Sequence, residues 1–406
     1  MPRLIRLSPL LLGAVLLAGC ATGGRDNGSG AGIPASNLPP DLAQPIPGAP
    51  PVKPEGSVAK PPPPSEREIR AMIGRLLPAG VKERSTWAGD LHTAYASLGL
   101  PHAPQLYCAT IAVIEQESTF QADPVVPGLP DIVWRELEQR GKKYGIPKLL
   151  ISAAMLKGSP DGRSYSQRID TLKTEKQLNS LFEDMIAELP AGKTLFAGYN
   201  PVRTGGPMQV SIAFAEEFAR EKAYPYPVHR SIRDEVFTRR GGLYFGSAIL
   251  LDYPAPYDDV VYRFADFNAG RYSSRNAAFQ AALGRASGKA MVLDGDLLRY
   301  VGGKPVEQPS SVESALQQLA GKLRLSQREL RRDLLLEKTA AFGQSPTFNR
   351  LFALAEQQAG RPLPRQAMPQ IDLKSPKIQR KLTTEWFARR VEGRYRTCLT
   401  RAEGSS

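Results

Sequence analysis

From residue 65 onward, apolar positions recur at intervals of three and four, the period of helices with one buried face. Ser65 and Glu68 form a capping box ahead of Ile69, Met72, Ile73 and Leu76, which share one such face. Trp87, Leu91, Tyr95 and Leu98 outline a second helix that stops before Pro101, and a third is predicted from about Pro104 to Phe120. The same periodicity marks Ile132–Tyr144, Glu175–Leu189, Ile212–Lys222, Tyr244–Leu251 and Asp259–Phe267. From about residue 306 a second helical block begins, with Val312, Leu316, Leu319 and Leu323 in one stripe and Leu351 and Leu354 in another. Pro362, Pro364 and Pro369 interrupt it before a last helix near Thr384–Thr397. Strand-like alternation is scarce, so the predicted fold class is mainly α.

The first 64 residues follow no such pattern. Arg3 and Arg6 precede an apolar run from Leu10 to Leu17, the layout of a secretory signal, and the run is too short for a permanent membrane span. Leu17-Ala18-Gly19-Cys20 resembles the lipobox of bacterial lipoproteins, which implies cleavage after residue 19 and palmitate-type acylation of Cys20. Ala21, where an aspartate would resemble an inner-membrane retention signal, favours the outer membrane, facing the periplasm. Residues 21–64 hold twelve prolines among small and polar residues and read as a tether. The expected organisation is a signal over 1–19, a lipidated tether over 20–64, a helical domain over 65–305 and a basic helical region over 306–400.

Charge and cysteines add two points. Of the formal net charge of +13, most sits in residues 321–401, with 18 Lys or Arg against 7 Asp or Glu. A plain solvated face is the commoner reading of such a stretch; in a secreted lipoprotein the alternative is a face that meets anionic lipid, lipopolysaccharide or peptidoglycan carboxylates, and no nucleic-acid partner is expected. Cys108 and Cys398 remain once Cys20 is acylated, two thiols in an oxidising compartment. A bond between them and a pair of free thiols are both compatible with the sequence.

The candidate chemistry lies in the third helix. Leu106, Thr110, Val113 and Glu117 fall on one stripe, which places a carboxylate at the end of a core-facing row. Burial raises a carboxylate's pKa, the property a general acid requires near neutral pH. An ion pair with a nearby arginine is the alternative. The histidines His92, His102 and His229 show no metal-ligand spacing, and no metal or cofactor is expected.

Glu117-Ser118-Thr119-Phe120 resembles the E-S-x-F motif of soluble lytic transglycosylases, relatives of goose-type lysozyme. Gly206-Pro207-Met208-Gln209 is similar to that family's G-x-M-Q loop, and Gly242-Leu243, Gly246 and Ile249-Leu250 to its next helix. Ala265-Asp266-Phe267-Asn268-Ala269-Gly270 resembles its A-x-Y-N-A-G motif, with phenylalanine where the family has tyrosine. Tyr199, Tyr244, Tyr262 and Tyr272 are candidates for supplying the missing hydroxyl. The 59 residues from Gln209 to Asn268 suit the family, whereas the 92 from Glu117 to Gln209 imply a helical insertion at about 124–201. That insertion either shapes access to the groove or decorates its periphery.

The resemblance implies a lysozyme-like catalytic domain acting on the glycan strands of peptidoglycan. Glu117 would protonate the oxygen between N-acetylmuramic acid and N-acetylglucosamine. As carboxylate it would then take the proton of the muramyl C6 hydroxyl, closing a 1,6-anhydro ring. Ser118, Met208, Gln209 and Asn268 would line the sugar site. One alternative is a hydrolytic muramidase in which Asp123, Asp258, Asp259 or Asp266 positions water. Another is a non-catalytic lipoprotein that keeps the fold to bind peptidoglycan or a cell-wall enzyme.

Overall fold

A computed structural model describes residues 63–188, 200–373 and 381–403. The expected signal, Cys20, nearly all of the expected tether and Tyr199 lie outside the described residues. The fold is mainly α, as expected, and its strands among the described residues are two short hairpins, β1 (Thr204–Gly205) with β2 (Val210–Ser211) and β3 (Tyr300–Val301) with β4 (Lys304–Pro305).

Three hydrophobic clusters organise the chain, all between Ile69 and Cys398. The first is built on α1 (Glu66–Leu76), α2 (Arg84–Leu98) and α3 (Pro104–Glu117). The Ser65 box forms as read: the Glu68 carboxylate accepts from the Ser65 amide at 2.7 Å while Ser65 Oγ accepts from the Glu68 amide. α3 differs from the expected stripe, because every residue from Tyr107 to Ile114 is buried. The segment carries no charge from Pro104 to Ile114, and a helix apolar on all sides is a central one. Glu115, on its far side, faces Arg394 at 3.8 Å.

The same core takes in α8 (Ile212–Glu221), α9 (Ile232–Val236), α10 (Arg239–Leu251) and α11 (Val260–Ala269). It is closed by the last helix, α16 (Thr384–Glu403), which lies against α1, α3 and α11 through Phe387, Ala388, Val391 and Cys398. Cys398 is disulfide-bonded to Cys108 of α3, with Cα atoms 5.4 Å apart across 290 residues of chain. The C-terminal helix therefore belongs to the first core and not to a separate 306–400 block.

The second cluster also crosses the expected boundary at residue 305. It starts in α12 (Ser273–Ser287), at Ala278, and continues through α13 (Ser311–Leu323), α14 (Gln327–Leu334) and α15 (Pro346–Ala359). Buried Arg275 and Asn276 tie α12 to this lobe, donating to the carbonyls of Thr339 at 2.7 Å and Glu337 at 3.0 Å. Glu337 accepts from the Leu297 amide at 2.5 Å and from the Tyr300 hydroxyl, and burial lifts its carboxyl to about 7.

The third cluster lies in the segment expected as an insertion. Val126, Leu129, Tyr165, Ile169, Leu172 and Leu181 form a small core among α4 (Leu129–Lys143), α6 (Tyr165–Asp170) and α7 (Glu175–Ala187), with α5 (Lys148–Ala154) outside it.

Candidate functional site

The site is assembled by a turn and a stripe of glycines. The hairpin β1–β2 pairs Gly205 with Val210, so Gly206 to Gln209 form its four-residue loop, closed by the Gln209 amide donating to the Gly206 carbonyl at 3.1 Å. The loop lies flat on α10. A Cβ on Gly242 would fall 2.4 Å from Pro207 Cδ, and one on Gly246 would fall 2.3 Å from Met208 Sδ. These glycines, four apart, present one smooth helix face, so both motifs are two sides of a single contact. Met208 is fully buried in that contact.

The loop holds Gln209 at φ +50°, a left-handed conformation uncommon for a residue with a side chain. Two more residues of this kind, Thr119 at +51° and Phe120 at +61°, directly follow the Glu117-Ser118 end of α3. A β-branched residue in this region is strained, and strain persists only where packing enforces it. Here Phe120 is held edge-on against Trp87, with ring centroids 5.4 Å apart. The backbone bends sharply at both places where the sequence placed chemistry.

Glu117, the last residue of α3, and Gln209 line one cavity of about 1210 Å³. Its other wall is the insertion, from Pro124 to Arg140 and again through Glu175, Leu178 and Phe182. One part of the lining is polar, with Glu117, Glu175, Arg203, Thr204 and Gln209, and another is apolar, with Val126, Leu137, Leu178 and Met185. Gln209 joins the walls: its amide donates to Glu175 at 3.0 Å and its carbonyl accepts from the Thr204 hydroxyl at 3.1 Å.

The remaining expected residues stand elsewhere. Ser118 is buried with its hydroxyl donating to the Ile114 carbonyl at 3.1 Å, so it finishes α3 instead of facing the cavity. Asn268 is outside the lining, and its side-chain carbonyl accepts from Thr384 Oγ1 at 2.8 Å. The arrival of α16 against α11 takes up that group. Phe267 packs on the first core. Tyr244 donates to the Ala223 carbonyl at 3.1 Å, and none of Tyr244, Tyr262 and Tyr272 lines the cavity.

The four aspartates proposed for a water-positioning role are also absent from the lining. Asp266 is a buried hub, accepting from the hydroxyls of Tyr253 at 3.1 Å and Tyr257 at 2.7 Å and from the amides of Tyr272 and Ser274 at 2.7 Å. Burial nevertheless raises its pKa. Asp123 accepts from Thr174 at 2.9 Å, Asp259 caps α11, and Asp258 is exposed. The carboxylates that do share the cavity with Glu117 are Asp131, Glu136 and Glu175, none singled out by a motif. For Glu175 the only sequence signal was its place at the start of a helix after Thr174, which caps it.

The chain belongs to a family described as a protein of unknown function, DUF1615, which matches residues 80–401 and so takes in the second and third clusters and the first from Trp87 onward. The protein named "Uncharacterized protein YaiW" of Escherichia coli (strain K12) is a relative, 48% identical over 332 residues that cover 82% of this chain and 90% of the relative. No solved structure matches the chain.

Proposed function

We propose that this protein is a peptidoglycan lytic transglycosylase, anchored in the outer membrane by a lipid on Cys20, with Glu117 as its single acid/base. The observation that carries the reading is the meeting of Glu117 and Gln209, 92 residues apart, in one cavity. Left-handed backbone at Thr119, Phe120 and Gln209 supports it, because such strain gathers at functional sites. A glycan strand would lie between the insertion and the β1–β2 loop. Glu117 would give its proton to the glycosidic oxygen and recover one from the C6 hydroxyl, leaving a 1,6-anhydro-muramyl end. Thr204 and Gln209 would hold sugar hydroxyls or the N-acetyl group.

A second reading is favoured by one observation. Asn268 is committed to Thr384 and Phe267 carries no hydroxyl, so the cleft holds fewer polar groups than the resemblance implies. On this reading the protein binds glycan strands without cutting them. Digestion of purified sacculi followed by mass spectrometry separates the two. Cleavage releases 1,6-anhydro muropeptides from wild type and none from Glu117→Gln. Wild type that binds sacculi and releases nothing leaves the binding reading in force. Loss of palmitate labelling in Cys20→Ala tests the anchor separately.

A further inference from the structure

The tip of the insertion departs from the rest of the surface. Between α4 and α5, residues 142–150 are exposed without a break, and α5 buries no residue at all. The exposed side chains include Tyr144 at 71%, Leu149 at 79%, Leu150 at 60% and Leu156 at 69% relative accessibility, with Ile146 beside them. An amphipathic helix owes its persistence to burial of its apolar face, and soluble surfaces rarely gather large apolar residues so closely. The segment is nonetheless built as a fixed projection. The Ile146 amide donates to the Gly141 carbonyl at 2.8 Å, and a Cβ on Gly141 would lie 2.3 Å from Ile151 Cδ1, so α5 is pressed onto the end of α4.

The charge around this tip selects the partner. From Arg140 to Lys157 there are five basic residues, Arg140, Lys142, Lys143, Lys148 and Lys157, and no acidic one. Arg140 and Lys148 are met from behind by Glu136 and Glu138, each at 2.6 Å, and Lys157 pairs with Glu188. Lys142 and Lys143 take part in no ion pair among the described residues. Lysine is depleted from the centres of protein–protein interfaces. A tyrosine and aliphatic residues ringed by lysines suit the boundary of an anionic bilayer, where rings sit at the headgroups and long cationic stems reach phosphate.

We propose that the α4–α5 tip is a membrane-docking element that inserts Tyr144, Ile146, Leu149 and Leu150 into the headgroup boundary of an anionic phospholipid bilayer, with Lys142 and Lys143 on the phosphates. This site is distinct from the lipid anchor and independent of what the cavity does. It gives the folded part a second hold on a membrane, and one weak hold added to another is how stable, oriented attachment arises.

The test uses residues 63–406, which contain every member of the three hydrophobic clusters and form one compact unit without the anchor. Cosedimentation is measured with vesicles of phosphatidylglycerol and phosphatidylethanolamine, and with neutral phosphatidylcholine vesicles. Binding is expected to the anionic vesicles and to fall as salt rises. Leu149→Ser/Leu150→Ser should weaken it by about tenfold or more with an unchanged melting temperature, since both side chains are already exposed. Lys142→Glu/Lys143→Glu should weaken it at low salt. Wild type that stays in the supernatant overturns the proposal, as does binding that both double variants retain. Self-association of wild type that the serine variant loses, without vesicle binding, would make the tip an interface between copies and equally overturn it.

Discussion

Gln209 donates its side-chain amide to Glu175 at 3.0 Å and thereby fastens the β1–β2 loop of the first core to the opening turn of α7 in the insertion. The two residues come from segments with separate hydrophobic clusters. Their bond is one tie between the walls of the cavity that Glu117 lines, beside Arg233 of α9 donating to Asn179 of α7 at 3.1 Å.

Removing either partner should loosen the walls without unfolding either core. Glu175→Ala and Gln209→Ala are each expected to cost roughly 0.5–1.5 kcal/mol, and their double-mutant cycle should return a coupling of about 1 kcal/mol. Chemical denaturation measures the energies. Hydrogen exchange should quicken at residues 204–211 and at the start of α7, and a change confined to one side would count against a bridge.

Gly246→Ala should displace Met208, because the added Cβ would lie 2.3 Å from its sulfur. A destabilisation of about 1–3 kcal/mol is expected, in the range of overpacked cores. Met208→Ala in the same chain should recover part of it by vacating the space. Additive losses in the thermal midpoints would show that the helix and the loop do not share this contact.

The bond between Cys108 and Cys398 closes a loop of 290 residues, so its removal should release much chain entropy in the unfolded state. Cys398→Ser is expected to lose roughly 3–5 kcal/mol and to lower the melting temperature as reducing agent does to wild type. The native protein should resist alkylation at both positions, and labelling without prior reduction would contradict the pairing.

Glu337 should make the second lobe less stable as pH rises. Its folded carboxyl is raised to about 7 by burial, above the range it has in an unfolded chain. Below the unfolded value both states are protonated. Between the two values the unfolded chain has released its proton while the folded chain keeps it, so folding loses stability through that window. The loss levels off above about 7, at roughly 3–4 kcal/mol. Glu337→Gln should flatten this part of the stability profile, and an unchanged slope would assign it to another group.

The helices with continuous apolar periods were legible in the sequence, and so was the cap at Ser65. α12 was not, because Arg275, Asn276 and Gln280 are polar yet buried, satisfied by carbonyls and a carboxylate from other segments. The glycine-rich motifs were readable for a local reason: close approach demands a missing Cβ wherever it occurs. Glu175 and Arg203 escaped notice, since their place in the cavity depends on how the insertion folds back. Asn268 shows the converse. Its short motif is matched at every fixed position but Phe267, yet Thr384, 116 positions later, decides what Asn268 bonds to.

The placement of α16 also orders events in time. The first core contains α1 at the beginning of the fold and α16 at its end, with the other two lobes threaded between them. Such long-range closure is slow, and segments made early must wait for those made last. The second and third clusters are contiguous in sequence and can condense while synthesis proceeds. The core that carries Glu117 is complete only after α16 has emerged, so truncation before α16 should strike the N-terminal helices first.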